Sequence, residues 1–177
     1  MKLRRIASIL PGLKSALLAV LAGILLILAF PDFDLWFLAW VALVPLLIAI
    51  DREKESTARS FFCGWLFGFV FFTGSCWWLT YAPIHYAGFP IVLTYFLLCI
   101  VTAIVAVFPG LFGAITSALL KRFGSWAFFA APFVWVATEF ARYWTTGNDW
   151  NAIGYSQFSN DKVAGLASIG GIALCSF

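Results

Sequence analysis

Inside the apolar stretch "APFVWVATEFARYW" stand a carboxylate and a guanidinium three residues apart, Glu139 and Arg142. On a helix that spacing places both on one face, one turn apart. An ionisable pair in so greasy a segment has few roles. It can close the helix end as an ion pair, or Arg142 can meet a headgroup phosphate through a charge-assisted bond. General acid or base work by Glu139 would need a second titratable group beside it, and none accompanies it. The segment runs into a polar island, "GNDWNAIGYSQ" over 147–157. There Trp150, Asn151, Tyr155 and Gln157 offer hydrogen bonds beside aromatic faces, the mixture that lines ligand sites; the plainer reading is an aromatic anchor on lipid.

The other chemistry-bearing residues are sparse. His85, the single histidine, sits in "YAPIHYAGFP", suited to a loop hydrogen bond or to a lipid phosphate. Asp32 and Asp34 flank Phe33 at a turn, where aspartate makes local backbone bonds. Cys63, Cys76, Cys99 and Cys175 share no metal-type spacing and read as small buried hydrophobes. There is no glycine-rich phosphate loop, H-E-x-x-H motif or nucleophile elbow, so no cofactor and no metal are expected.

The elements that position these residues follow from the solvent. The chain of 177 residues is 63% hydrophobic and 11% charged, against roughly 25% charged in soluble domains. A net charge of +3 without a basic stripe gives no case for nucleic acid. The expected fold is an all-α polytopic membrane protein, one transmembrane domain over 1–177, with five complete spans and a partial sixth. The spans read as 13–30, 35–50 with Pro45 inside, 60–81, 91–120, 126–144, and 163 onward. The fourth is long for the ~30 Å hydrocarbon core and is read as one tilted helix kinked at Pro109-Gly110. Gly64, Gly68 and Thr73 in the third supply small residues for close helix contact. The basic start and apolar run of "MKLRRIASILPGLKSALLAVLAGILLILAF" suit a signal peptide, but no small-x-small site precedes a soluble domain. A retained first helix is expected.

With the N-terminus cytoplasmic, Lys2, Arg4, Arg5, Lys14, Arg52, Lys54, Arg59, Lys121 and Arg122 fall inside, and Arg142 and Lys162 outside, nine against two. That is the bias of the positive-inside rule. Trp36, Trp77, Trp78, Tyr81, Tyr143 and Trp144 then gather at the outer interface, and the island at 147–157 lies on the outer surface.

Three stretches carry a resemblance: "LAFPDFDLWFLAW", "FFCGWLFGFVFFTGSCWWLTYAPIHYAGFP" and "APFVWVATEFARYWTTGNDWNAIGYSQF". They resemble the N-terminal membrane half of apolipoprotein N-acyltransferase, and the likeness covers nearly the whole chain. It implies a bacterial inner-membrane enzyme, its polar rim periplasmic, that moves an acyl chain from phospholipid to the α-amino group of a diacylglyceryl cysteine on an apolipoprotein. Its partners would be phospholipid, apolipoprotein and membrane lipids. In that family a nitrilase-like domain supplies a Glu-Lys-Cys set: the thiol attacks the ester, Glu takes its proton and Lys stabilises the oxyanion. No catalytic residue carries over onto this chain. The candidates for substrate contact are Glu139, Arg142, Trp150, Tyr155, Gln157 and His85. Where the family reads T-G-F-P-W, this chain has Thr146, Gly147, Asn148, Asp149 and Trp150, a more polar loop with a freer backbone.

The expectation is a fragment cut within its sixth helix and inactive alone. The alternatives are a stand-alone membrane scaffold or lipid-binding module and, less favoured, a small transporter. Transport is disfavoured because no span centre carries a chain of charges or paired broken helices.

Overall fold

The computed structural model describes residues 9–177; Lys2, Arg4 and Arg5, which the charge bias uses, lie outside the described residues. The chain is all-α. Its helices are α1 (Leu13–Ala29), α2 (Ala39–Arg52), α3 (Thr57–Ser75), the single turn α4 (Tyr81–His85), α5 (Ile91–Val105), α6 (Val107–Phe123), α7 (Ala131–Thr146), the short α8 (Asp161–Ala164) and α9 (Ala167–Ser176). Tighter 3₁₀ turns at Trp36–Leu38, Trp77–Thr80, Gly124–Ala130 and Ile153–Gln157 join them.

The bundle has two chemically different ends. At one, Glu53 after α2 accepts from the Gly12 N–H (2.9 Å) and the Ser15 hydroxyl (2.8 Å) at the start of α1. It also pairs with Arg59 on α3 at 3.5 Å, and Lys121 at the end of α6 reaches Thr57. Burial alone would raise the Glu53 pKa. The Gly12 and Ser15 hydrogen bonds, with the Arg59 guanidinium, outweigh it and hold the carboxyl below its usual range. At the other end the turn after α1, the end of α3 and the loop after α7 converge. Asp32 accepts from Trp77 Nε1 at 3.0 Å, and Ser159 donates to Asp34 at 2.8 Å.

Close helix approach makes the core. Ala19, Ala22 and Ala29 on α1 and Ala42 and Ala49 on α2 are fully buried in one shared core. The tightest contact joins α3 to α6. A Cβ added at Gly64 would collide with the Pro109 carbonyl, and one at Gly113 with the Ser60 carbonyl. Further along, Thr73 and Thr102 share a 2.8 Å hydrogen bond and Trp65 Nε1 donates to the Ala103 carbonyl. The antiparallel contact is therefore continuous across α5 and α6. Trp135 on α7 closes the core between Phe67 and Phe112, with ring centroids 5.9 and 5.1 Å away.

Four element boundaries differ from the sequence expectation. The long fourth segment breaks at Ala106 (ψ −12°), not at Pro109-Gly110; Pro109 then occupies the first turn of α6, where its missing N–H costs nothing. The third helix ends at Ser75, and Trp77–His85 bends away by 57°. Gly74 and Ser75 are weak helix formers there, and the Ser75 hydroxyl bonds back to the Phe71 carbonyl. The fifth begins at Ala131, not at 126: Gly124 adopts φ 58°, a value that glycine reaches without a steric penalty, and Pro132 suits a helix start. The sixth is α8 plus α9, itself interrupted at Gly170 and Gly171. Helical structure runs nearly unbroken over Ile91–Thr146, the one stretch among the described residues long and apolar enough by itself to cross a membrane. It is not one rod, because Gly124 reverses the chain and sets Trp135 against Phe112.

Candidate functional site

The loop end of the bundle is assembled around the close of α7. Gly147, at φ 69°, terminates the helix in the left-handed conformation and gives its N–H to the Tyr143 carbonyl at 2.8 Å. The chain then folds back over the last turn. Asn148 Oδ1 accepts from the Trp150 N–H at 2.7 Å, a side-chain turn of the kind asparagine favours. Asn151 adopts φ 60°, tolerated better by asparagine than by most residues.

Arg142 sits beneath this loop, 6% exposed. Its guanidinium donates to the carbonyls of Trp150 (2.6 Å), Asp149 (3.3 Å) and Asn148 (3.4 Å), and it lies 5.5 Å from the Phe72 ring centre. Glu139, one turn earlier, accepts the Ile153 N–H at 2.9 Å. The ion pairs among the described residues are Lys54–Asp51 and Arg59–Glu53; Glu139 and Arg142 do not form one. Each holds a different part of the loop, and a helix-closing ion pair is replaced by a two-point clamp on backbone. With its donors turned onto carbonyls, the guanidinium positions the loop, and the expected phosphate contact gains no support.

The clamped loop is stitched outward. Asn151 donates its amide to the Ser75 hydroxyl and to Cys76 Sγ. Gln157 is buried and donates to the Trp36 carbonyl at 3.0 Å. Tyr155 donates to Asp149 Oδ2 at 3.1 Å; burial first, then the Asp149 hydrogen bond and charge, push its phenol above the usual range. Two hollows result. One of about 480 Å³ is walled by Asp32, Trp78, Trp150, Asn151 and Tyr155 over Ile27 and Phe30. The other, about 280 Å³, lies between α7 and the glycine break of α9, bordered by Glu139, Arg142 and Asp149.

Of the residues singled out from sequence, Glu139, Arg142, Trp150 and Tyr155 thus come together around one loop. Gln157 anchors the loop's far side. His85 is apart: it is exposed on α4 and packs its ring on Tyr81 at 4.3 Å. Sequence reasoning missed Asp32, Ser75 and Trp78 as parts of the larger hollow. The tandem Trp77-Trp78 and the Asp32/Asp34 turn were the available signals, and nothing in sequence marks Ser75. Among the described residues no three of His, Cys, Asp and Glu converge as a metal site would require. The arrangement can hold a loop and present aromatic faces and acceptors; it contains no assembled acid–base pair.

Residues 22–177 match the family described as the apolipoprotein N-acyltransferase N-terminal domain. The apolipoprotein N-acyltransferase of Geobacter metallireducens is 30% identical over 168 residues, which cover 93% of this chain and 31% of the relative. That of Haemophilus influenzae is 33% identical over 162 residues, 91% of this chain and 30% of the relative. That of Pseudomonas putida is 33% identical over 172 residues, 94% and 33%. The chain spans about a third of the length of these curated relatives. The resemblance drawn from the three quoted stretches is borne out.

Proposed function

Because the chain belongs to the apolipoprotein N-acyltransferase family, as its N-terminal portion, we propose that it is the membrane-embedded part of a bacterial lipoprotein-modifying enzyme. The reaction is acyl transfer from a phospholipid to the α-amino group of a diacylglyceryl cysteine. This portion anchors the enzyme, orients it and offers lipid a way in. The covalent relay is assigned to the part of the relatives' length that this chain does not cover, so the chain by itself transfers no acyl group.

The observation that carries the reading is the bundle's outside. Leu13, Leu17, Leu21 and Ile24 on α1, and Ile91, Val92, Phe96, Val101 and Ile104 on α5, are all exposed. An apolar surface of that extent calls for a partner, and helices with internally satisfied backbone are what a bilayer accepts. The charge distribution agrees. Lys14, Arg52, Lys54, Arg59, Lys121 and Arg122 lie toward the Glu53 end, and Arg142 and Lys162 toward the other. On the positive-inside rule the Glu53 end is cytoplasmic and the clamped loop periplasmic in an inner-membrane, multi-pass protein.

The test is alkaline-phosphatase fusion at Ser159 and at Glu55, with alkaline carbonate extraction of the membranes. Enzyme activity from the Ser159 fusion alone, in a chain that carbonate does not release, is the expected result. Activity from the Glu55 fusion, or release of the chain, overturns the reading.

A further inference from the structure

The larger hollow at the loop end offers aromatic faces and hydrogen-bond acceptors. Two of its walls are Trp78 and Trp150, with ring centroids 5.4 Å apart and planes inclined by 49°; both rings are about half exposed, at 45% and 51%. Asp32 and Asn151 line the same hollow. Asp32 receives a hydrogen bond at Oδ2 from Trp77 and has no ion-pair partner among the described residues. Asn151 spends its amide N–H on Ser75 and Cys76, and among the described residues its carbonyl oxygen accepts nothing. The guanidinium of Arg142 is turned onto loop carbonyls. The floor, Ile27 and Phe30, is apolar.

This inventory discriminates between ligands. A phosphate would face the Asp32 carboxylate, with no cation in the lining to receive it. A purely apolar chain would cover Asp32 and Asn151 and leave buried acceptors without donors. A primary ammonium satisfies both, since it donates up to three hydrogen bonds and is attracted to indole faces within about 6 Å. An amphiphile carrying one would lay its apolar part on Ile27 and Phe30. We propose that this groove binds the primary ammonium of an amphiphile, with Asp32 as counter-ion and Trp78 and Trp150 as aromatic walls. The inference deepens the acyltransferase reading and rests on it for the lipid nature of the ligand. Two sources share the chemistry: an aminophospholipid headgroup, and the free amino terminus of a lipid-modified peptide.

The experiment is native mass spectrometry of the full chain in detergent. The probes are dihexanoyl phosphatidylethanolamine and a diacylglyceryl-cysteine peptide, each against its N-acetylated form. At least one free amine is expected to bind about tenfold more tightly than its acetylated partner, a preference in the range of a desolvated cation–π contact and one counter-ion. Selectivity for the first probe alone assigns the groove to the phospholipid headgroup, and for the second alone to the peptide terminus. Asp32→Asn keeps an acceptor for Trp77 and is expected to abolish the preference; Trp150→Ala reduces it and Trp150→Phe restores most of it. Equal binding of free and acetylated probes, or a preference that survives Asp32→Asn, overturns the proposal. Failure of the acyltransferase reading shows separately, as carbonate release of the chain or an inverted fusion result.

Discussion

Arg142 combines deep burial with a positive charge, and what makes that tolerable is the geometry of three successive loop carbonyls. A planar fork of N–H donors reaches the oxygens of Asn148, Asp149 and Trp150 together, which a lysine ammonium on a flexible stem cannot reproduce. Arg142→Ala leaves the Trp150 carbonyl without a donor, while the Asn148 and Asp149 carbonyls keep the Thr146 hydroxyl and the Ala152 N–H; it removes a charged hydrogen-bond set worth about 2–3 kcal/mol. The expected result is a lower Tm of the purified chain in detergent and faster proteolysis within 147–160, with Arg142→Lys in between. An unchanged Tm and cleavage pattern would discard the clamp. The same residue marks a limit of sequence reading. The three-residue spacing of Glu139 and Arg142 correctly put both on one side of α7. Their partners are backbone carbonyls and an N–H, groups every residue carries, so no residue type announced them. The loop's polar side chains leave a fainter trace: Asn148 and Asp149 stand where the family pattern is more apolar, and both bond within their own loop.

At the scale of the helices, the bundle depends on two kinds of junction. The α3–α6 junction is steric. Gly64 lies against the Pro109 carbonyl, and any side chain there forces the helices apart. Gly64→Ala is expected to cost at least the ~1–3 kcal/mol of overpacking, read as a drop in Tm and in recovered folded protein. A neutral effect would mean that the helices are not in contact at this point. The sequence foreshadowed this junction, because small residues on an apolar helix have few other uses. It misplaced the break in the following segment, since the sequence alone does not tell whether Pro109 lies within a helix or in its first turn.

The second junction is electrostatic. Glu53 joins α2 to the start of α1 and to α3 through Gly12, Ser15 and Arg59. Its carboxyl is held below the usual range, so its contribution is fully present above the ordinary glutamate pKa of about 4.3. It is lost as pH falls through the lowered folded-state value. Acidification below about pH 4.3 is therefore expected to lower the Tm of the unsubstituted chain more than that of Glu53→Gln, which starts lower at pH 7. Parallel pH profiles for the two would refute the linkage.

Across the whole molecule, stability is unevenly spread. Phe67, Phe71, Phe112, Leu26 and Leu46 are fully enclosed where α1, α2, α3 and α6 meet, whereas no residue of α8 or α9 is buried. The last segment holds on through narrow contacts: the Gly154 N–H to the Ser176 hydroxyl at 2.9 Å, and the Phe177 ring against Phe133 with centroids 4.6 Å apart. Composition could not reveal this, because 163–177 is as apolar as the core helices; the difference comes from Gly165, Gly170 and Gly171, which prevent one continuous face. Opening free energies follow buried contact, from near zero at loosely held segments to the global value in the core. Amide exchange in detergent should therefore be slowest across α3 and α6 and, by roughly two orders of magnitude or more, faster over 161–176. The 148–157 loop should fall between, since a buried guanidinium and Glu139 hold it at both ends, and Arg142→Ala should shift that loop alone toward the fast class. Uniform protection along the chain would contradict this division. So would a loop whose exchange ignores Arg142, because the clamp and the gradient stem from the same placement of buried donors.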